Sequence, residues 1–246
     1  MPIMKWNDIF CNTFKSLRSQ IGSEVKKQVN LMLPSMPMVE ACRTNDLDSF
    51  QPFIAAGKLS VEDMQQACDR YYLGQTKSGI PMFWMIDDMN TPLDAHIGNR
   101  WISQLLKQRE PLIANWQVAH CLFGLHLLAD AMCPIAIVES ESSAIVLSAL
   151  FPETIWLAYA TPTHLVPNLF APLEDHIVTI YPNTDPTLST YLFFQDLVTL
   201  TLQQYDLDIT ISPLLEDNAT PTQKDRNIDL LDYLKESLNA PAEKSS

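Results

Sequence analysis

The chain has 246 residues, and its 16 lysines and arginines stand against 29 aspartates and glutamates, a formal net charge of −13. Only 18% of it is charged and 47% is hydrophobic, so it can bury a sizeable apolar core without disulfide or metal staples. A balance this acidic excludes a surface coated with phosphate-neutralising cations, and no run of about 18 apolar residues exists to cross a membrane.

Residues 5–32 carry Ile9, Phe10, Phe14, Leu17, Ile21 and Val25 at three- and four-residue spacing, which predicts one or two helices. Pro34 and Pro37 end that pattern. Helical patterning resumes over 45–70. Asn45 or Asp46 can cap its first piece, Gly57 interrupts it, and Ser60 with Asp63 three residues on opens the second. From Tyr71 the period changes: Tyr71-Tyr72-Leu73, a turn through Thr76-Lys77-Ser78-Gly79, and the run Ile80–Ile86 predict strand, turn and strand. Asp87 and Asp88 read as solvated turn acids, since neighbours on an extended chain point to opposite faces. Two further helices are predicted over 99–109 and 116–132. On the second, His120, Cys121 and His126 miss the i, i+4 spacing of a helical metal pair, so structural histidines are expected.

Beyond Pro134, the apolar runs Ile135–Val138, Thr154–Ala158, His176–Tyr181 and Asp208–Ile211 alternate with helix-like runs at 142–151, 163–170 and 187–205. This alternation predicts an α/β fold: a mostly parallel sheet flanked by helices, preceded by a small helical module and a β-hairpin region. The expected organisation is a helical module over 1–70, hairpin plus helices over 71–133, the sheet domain over 134–236 and a polar tail over 237–246. Ligands of such sheets sit beyond the carboxyl ends of the strands. That makes Glu139-Ser140-Glu141 and Asn183-Thr184-Asp185 the residues to inspect. Carboxylates drawn from two strand ends suit a hard divalent cation. Equally, Ser140 with Glu141 can cap one helix, and Asp185-Pro186 another.

Composition narrows the chemistry further. Six glycines, none after Gly124, leave no dinucleotide fingerprint and no P-loop. Cys11, Cys42, Cys68, Cys121 and Cys133 are odd in number and lack ligand spacing, which argues against a zinc site and a disulfide framework. With no long apolar stretch in MPIMKWNDIF, a reduced cytoplasmic protein is expected. No lysine or arginine occurs between Arg109 and Lys224. Nucleic acid would therefore be held through the N-terminal region, where Lys15, Arg18, Lys26, Lys27, Arg100, Lys107 and Arg109 lie, through bound metal or through a partner protein.

The sequence resembles the Toprim-like family of primase-like proteins from bacterial mobile elements, whose core is related to that of bacterial DNA primase. The likeness runs from about residue 60 to 235. It is carried by Asp69-Arg70-Tyr71-Tyr72-Leu73-Gly74 with Thr76-Lys77 and Gly79, by Phe83-Trp84-Met85-Ile86-Asp87, and by Cys121-Leu122-Phe123-Gly124-Leu125-His126-Leu127-Leu128. It continues in Val138-Glu139-Ser140-Glu141, Leu150-Phe151-Pro152, Tyr181-Pro182-Asn183-Thr184-Asp185 and Ile228-Asp229-Leu230-Leu231-Asp232-Tyr233-Leu234.

The resemblance implies a catalytic general acid/base at Glu139 and an Asp-x-Asp pair, here Asn183 and Asp185, that binds Mg2+ with Glu139 and Glu141 for phosphodiester chemistry. The first acid of that pair is absent. Two unit charges 4 Å apart interact by about 4 kcal/mol at an effective dielectric near 20, so asparagine beside a dication forgoes up to roughly twice that. Where similar proteins read Glu-Ser-Glu-Lys-Thr, Ser142-Ser143 follows Glu141; where they turn on Gly-Gly, this chain has Thr161-Pro162-Thr163. The zinc ribbon that precedes primase cores is also missing. The expectation is a degenerate primase-like protein with weakened or lost catalysis, serving mobile-element DNA replication or transfer as a binding or scaffold component. The alternative is an active Mg2+-dependent nucleotidyltransferase or nuclease of the Toprim class.

Overall fold

The computed structural model describes residues 34–109, 118–130 and 133–239; the helical pattern of 5–32 lies outside them. The first layer holds α1 (Met36–Ala41), α2 (Gln51–Ala55) and α3 (Val61–Arg70). Gly57, at φ +65°, separates α2 from α3. Ser60 opens α3 as expected, its hydroxyl accepting the Asp63 N–H at 3.0 Å while the Asp63 carboxylate accepts the Ser60 N–H.

Four antiparallel strands follow in the order β1 (Gly74–Gln75), β2 (Pro81–Ile86), β3 (Pro92–Ile97) and β4 (Arg100–Trp101). Tyr71-Tyr72-Leu73, expected as a strand, instead closes α3: Tyr72 takes φ +52° and the Leu73 N–H donates to the Cys68 carbonyl. Asp87 forms the expected turn, its carboxylate accepting the N–H groups of Met89 and Thr91. The sequence hides β3 because Asp94 and His96 interrupt its apolar run. Asp94 is nonetheless buried, satisfied by the N–H groups of Ala95 and Ser103 and by the Ser103 hydroxyl at the start of α4 (Ile102–Arg109).

The helix expected over 116–132 is not formed by its described part, 118–130. Phe123 bridges antiparallel to Ala158, Gly124 takes φ +84°, and Leu125–Asp130 is a 3-10 turn. The left-handed glycine breaks the helical path.

The second sheet comprises β5 (Ile135–Val138), β6 (Ile155–Ala158), β7 (Ile177–Ile180) and β8 (Asp208–Ile211), all parallel and ordered β6-β5-β7-β8. Its crossovers contain α5 (Glu141–Leu150) and α6 (Ser189–Leu202). This is the α/β architecture the patterning predicts. The run 163–170 forms 3-10 turns rather than an α-helix, because Pro162, Pro167 and Pro172 supply no N–H. The chain continues through α7 (Leu214–Asn218), α8 (Pro221–Asp225) and α9 (Leu230–Asn239), so helix extends past the tail boundary expected at 237.

Packing crosses the boundary drawn before residue 134. One cluster joins Phe50, Met64 and Tyr71 to Met85 and Trp101 of the antiparallel sheet, to Val138 and Trp156 of the parallel sheet, to Ile145 of α5, and to Leu230 and Leu231. Within it the Tyr71 hydroxyl donates to the Trp156 carbonyl at 2.6 Å. A second cluster packs Leu157, Ile180, Phe194 and Leu197 on the sheet's other face. Among the described residues no helix is long and apolar enough to cross a membrane.

Candidate functional site

In the strand order β6-β5-β7-β8, the chain leaves β5 to one side for β6 and then returns past it to β7. The switch point therefore lies between β5 and β7, and beyond their carboxyl ends is where open sheets of this kind form their ligand crevice. Glu139 follows β5 and Asn183-Thr184-Asp185 follow β7, so both acidic tips sit on one rim of a parallel sheet. All four β5 residues are buried, which fixes where Glu139 emerges.

Glu139 accepts the Tyr159 hydroxyl at 3.3 Å. Burial pushes its carboxyl pKa up; the Tyr159 hydrogen bond opposes this, and the charges of Asp229 and Glu141 add to the rise. Asp229 is pushed up by burial too, against the Ser143 hydroxyl and the Asp232 N–H that it accepts at the start of α9. Burial and the Glu139 charge hold the Tyr159 phenol well above its ordinary range. The crevice thus gathers two carboxyls and a phenol whose protons are held more tightly than usual.

The remaining predicted residues have other employment. Ser140 caps α5, its hydroxyl accepting the Ser143 N–H. Glu141, in the first turn, is buried and pairs with the Nδ1 of His96 on β3 at 2.7 Å. Asp185 accepts five hydrogen bonds, from the N–H and hydroxyl of Thr187, the N–H and hydroxyl of Ser189, and the N–H of Thr190. The Asn183 Oδ1 and Thr184 Oγ1 are buried without a hydrogen-bond partner, and the Thr184 N–H ties this segment to the carbonyl of Ile228, beside Asp229.

The residues do not fit the Mg2+ site that the resemblance implies. The lone pairs of Asp185 face its own loop and helix start, Glu141 faces His96, and Asn183 brings no charge. Among the described residues no group of three or more His, Cys, Asp or Glu is arranged to hold a metal ion. Nor does the segment 110–223 offer a cationic side chain to clamp phosphate.

The match of a family described as a domain of unknown function, DUF6371, covers residues 48–184, more than half of the chain. The chain belongs to this family. The DUF6371 match spans α2 through β7, so it takes in the antiparallel sheet and three strands of the parallel one, leaves out β8, and includes Glu139, Glu141 and Asn183. It ends at Thr184, one residue before Asp185, and Asp229 also lies beyond it. No curated protein matches the chain.

Tyr159 and Asp229, which act on Glu139, and His96, which pairs with Glu141, are partners that the sequence does not mark as site residues. For Asp229 a signal existed: an aspartate three residues before Asp232, ahead of an apolar run, is a helix-opening pattern. His126, by contrast, is structural as expected: its Nε2 lies 3.0 Å from the Arg70 carbonyl, and burial pushes its pKa down.

Two consequences are measurable. Burial alone would raise the Asp185 pKa, but its five hydrogen bonds outweigh this and hold the carboxyl well below the usual range. A depressed folded value stabilises the fold above the unfolded pKa of about 3.9, and that stabilisation is lost as pH falls towards the folded value. Asp185→Ala is therefore expected to cost about 2 kcal/mol at pH 7, the gap closing progressively below about pH 4, as checked by denaturant unfolding at both pH values. Glu139 has the opposite sign. Its raised folded pKa disfavours the folded state as pH rises through that value, so Glu139→Gln should raise the melting midpoint at pH 8 and leave it unmoved near pH 4.

Proposed function

We propose that the chain is a binding or scaffold component built on a degenerate Toprim-like core, serving mobile-element DNA replication or transfer without metal-dependent catalysis of its own. The observation that carries this reading is Asp185. At the strand end where the resemblance puts a metal-binding acid, the carboxylate is spent on five hydrogen bonds that hold its own loop and the start of α6. Its partner in the Asp-x-Asp pattern is Asn183, with a buried Oδ1. With no cation from 110 to 223, contact with nucleic acid on this reading runs through residues 1–109 or through another protein.

Melting the full chain with and without 10 mM Mg2+ or Mn2+ tests it. A site with a dissociation constant of about 0.1 mM would add about 2.7 kcal/mol, or several degrees. The expected result is an unmoved midpoint, with neither nucleotide incorporation nor strand cleavage. A rise that disappears in Glu139→Gln would overturn the reading in favour of an active Mg2+-dependent enzyme.

A further inference from the structure

Away from the switch point, a shallow, half-open groove lies between α2, the C-terminal end of α5 and α9. Glu141 and Leu150 bracket α5, so at 1.5 Å per residue the groove's Leu150 lies roughly 14 Å along that helix from the strand-end rim. Phe53, Leu150, Leu231 and Leu234 give it an apolar floor, and its charged lining residues are Lys58 and Lys235. Lys235 holds its Nζ 4.9 Å from the centre of the Phe53 ring, which keeps an ammonium at the mouth.

Both lysines are exposed, and neither is in a salt bridge among the described residues, whereas Arg43, Lys224 and Arg226 each pair with a carboxylate. Two exposed ammonium groups beside one apolar floor, with no carboxylate among the groove's lining residues, locally complement a ligand that is acidic and apolar at once, against the overall charge of −13. Enclosed small-molecule sites cover about 70–90% of their ligand. A half-open groove instead accepts a side chain whose backbone stays outside.

We propose that this groove docks an acidic peptide segment of a partner protein, one bulky apolar side chain seated on Phe53 and Leu234 and flanking carboxylates meeting Lys58 and Lys235. The assignment uses neither Glu139 nor Asp185, so it stands or falls separately from the reading of the crevice.

The test is fluorescence anisotropy on the full chain with three labelled octapeptides. One carries a Phe-Leu pair flanked by aspartates and glutamates, the second has lysines in place of the acids, and the third has Ala-Ala in place of Phe-Leu. Only the first is expected to bind, and its affinity should fall severalfold between 50 and 300 mM NaCl. The charge reversals Lys58→Glu with Lys235→Glu, both exposed, should weaken it at least about tenfold. Ala56→Trp, at the groove's exposed edge, should block it while the melting midpoint holds. No binding by the first peptide, equal binding by the second or third, or undiminished binding to Ala56→Trp would each overturn the proposal. So would binding of decanoate that Ala56→Trp abolishes while the acidic peptide fails to compete, which would give the groove to a small amphiphile.

Discussion

Gly124→Ala is expected to lower the unfolding free energy by about 3 kcal/mol, the sum of a left-handed backbone forced on an L-residue and an overpacked core. At Gly124, φ is +84°, and an added Cβ would stand 2.8 Å from the Tyr71 Cε1 and 3.0 Å from the Trp156 carbonyl oxygen. Neither neighbour can yield cheaply. That carbonyl accepts the Tyr71 hydroxyl at 2.6 Å, and the ring stacks on Phe123 with centroids 5.2 Å apart. Pushing the loop away would also strain the bridge between Phe123 and Ala158 on the edge of the parallel sheet. Gly57→Ala is the control: φ is +65° but nothing lies within 4 Å of its Cβ position, so only the backbone cost of about 1 kcal/mol is expected. Equal losses in the two variants, measured as denaturant midpoints, would contradict the packing argument.

The second large effect concerns His96 and Glu141. His96→Leu leaves the buried Glu141 carboxylate without its partner and is expected to cost about 3–5 kcal/mol, because an uncompensated charge inside a protein is penalised more than the pair is rewarded. The double variant His96→Leu with Glu141→Leu should recover most of that loss, as both polar groups then disappear together. Failure of the double variant to recover would mean that His96 matters through its stacking on Trp101, 4.9 Å between centroids, rather than through the charge. The pair ties β3 to the first turn of α5, so it also sets how the antiparallel sheet stands against the switch-point crevice.

The parallel sheet was readable because its strands are short, apolar and spaced for helical crossovers, and Ile135–Val138 and Ile155–Ala158 are buried at every position. The strand-end position of Glu139 follows from that alone. What Asp185 and Glu141 do with their charges does not, since a cap and a ligand place the same residue type at the same strand end. The deciding facts are partners: Ser189 and Thr190 are close in sequence to Asp185, but His96 is 45 residues from Glu141. Asp94 and His96 hid β3 for a related reason. A polar side chain that finds its partner inside the fold looks, along the chain, like a solvated one.

The cluster that joins Phe50 and Met64 to Leu230 and Leu231 has a bearing on how the polypeptide is made. A growing chain emerges from the ribosome in order, so the first helical layer waits until Leu230 and Leu231 have been made before these neighbours arrive. Contacts of such sequence separation slow collapse to a unique state and prolong the exposure of oily surface. Until α9 closes over Phe53, the apolar side of that layer stays open to other chains.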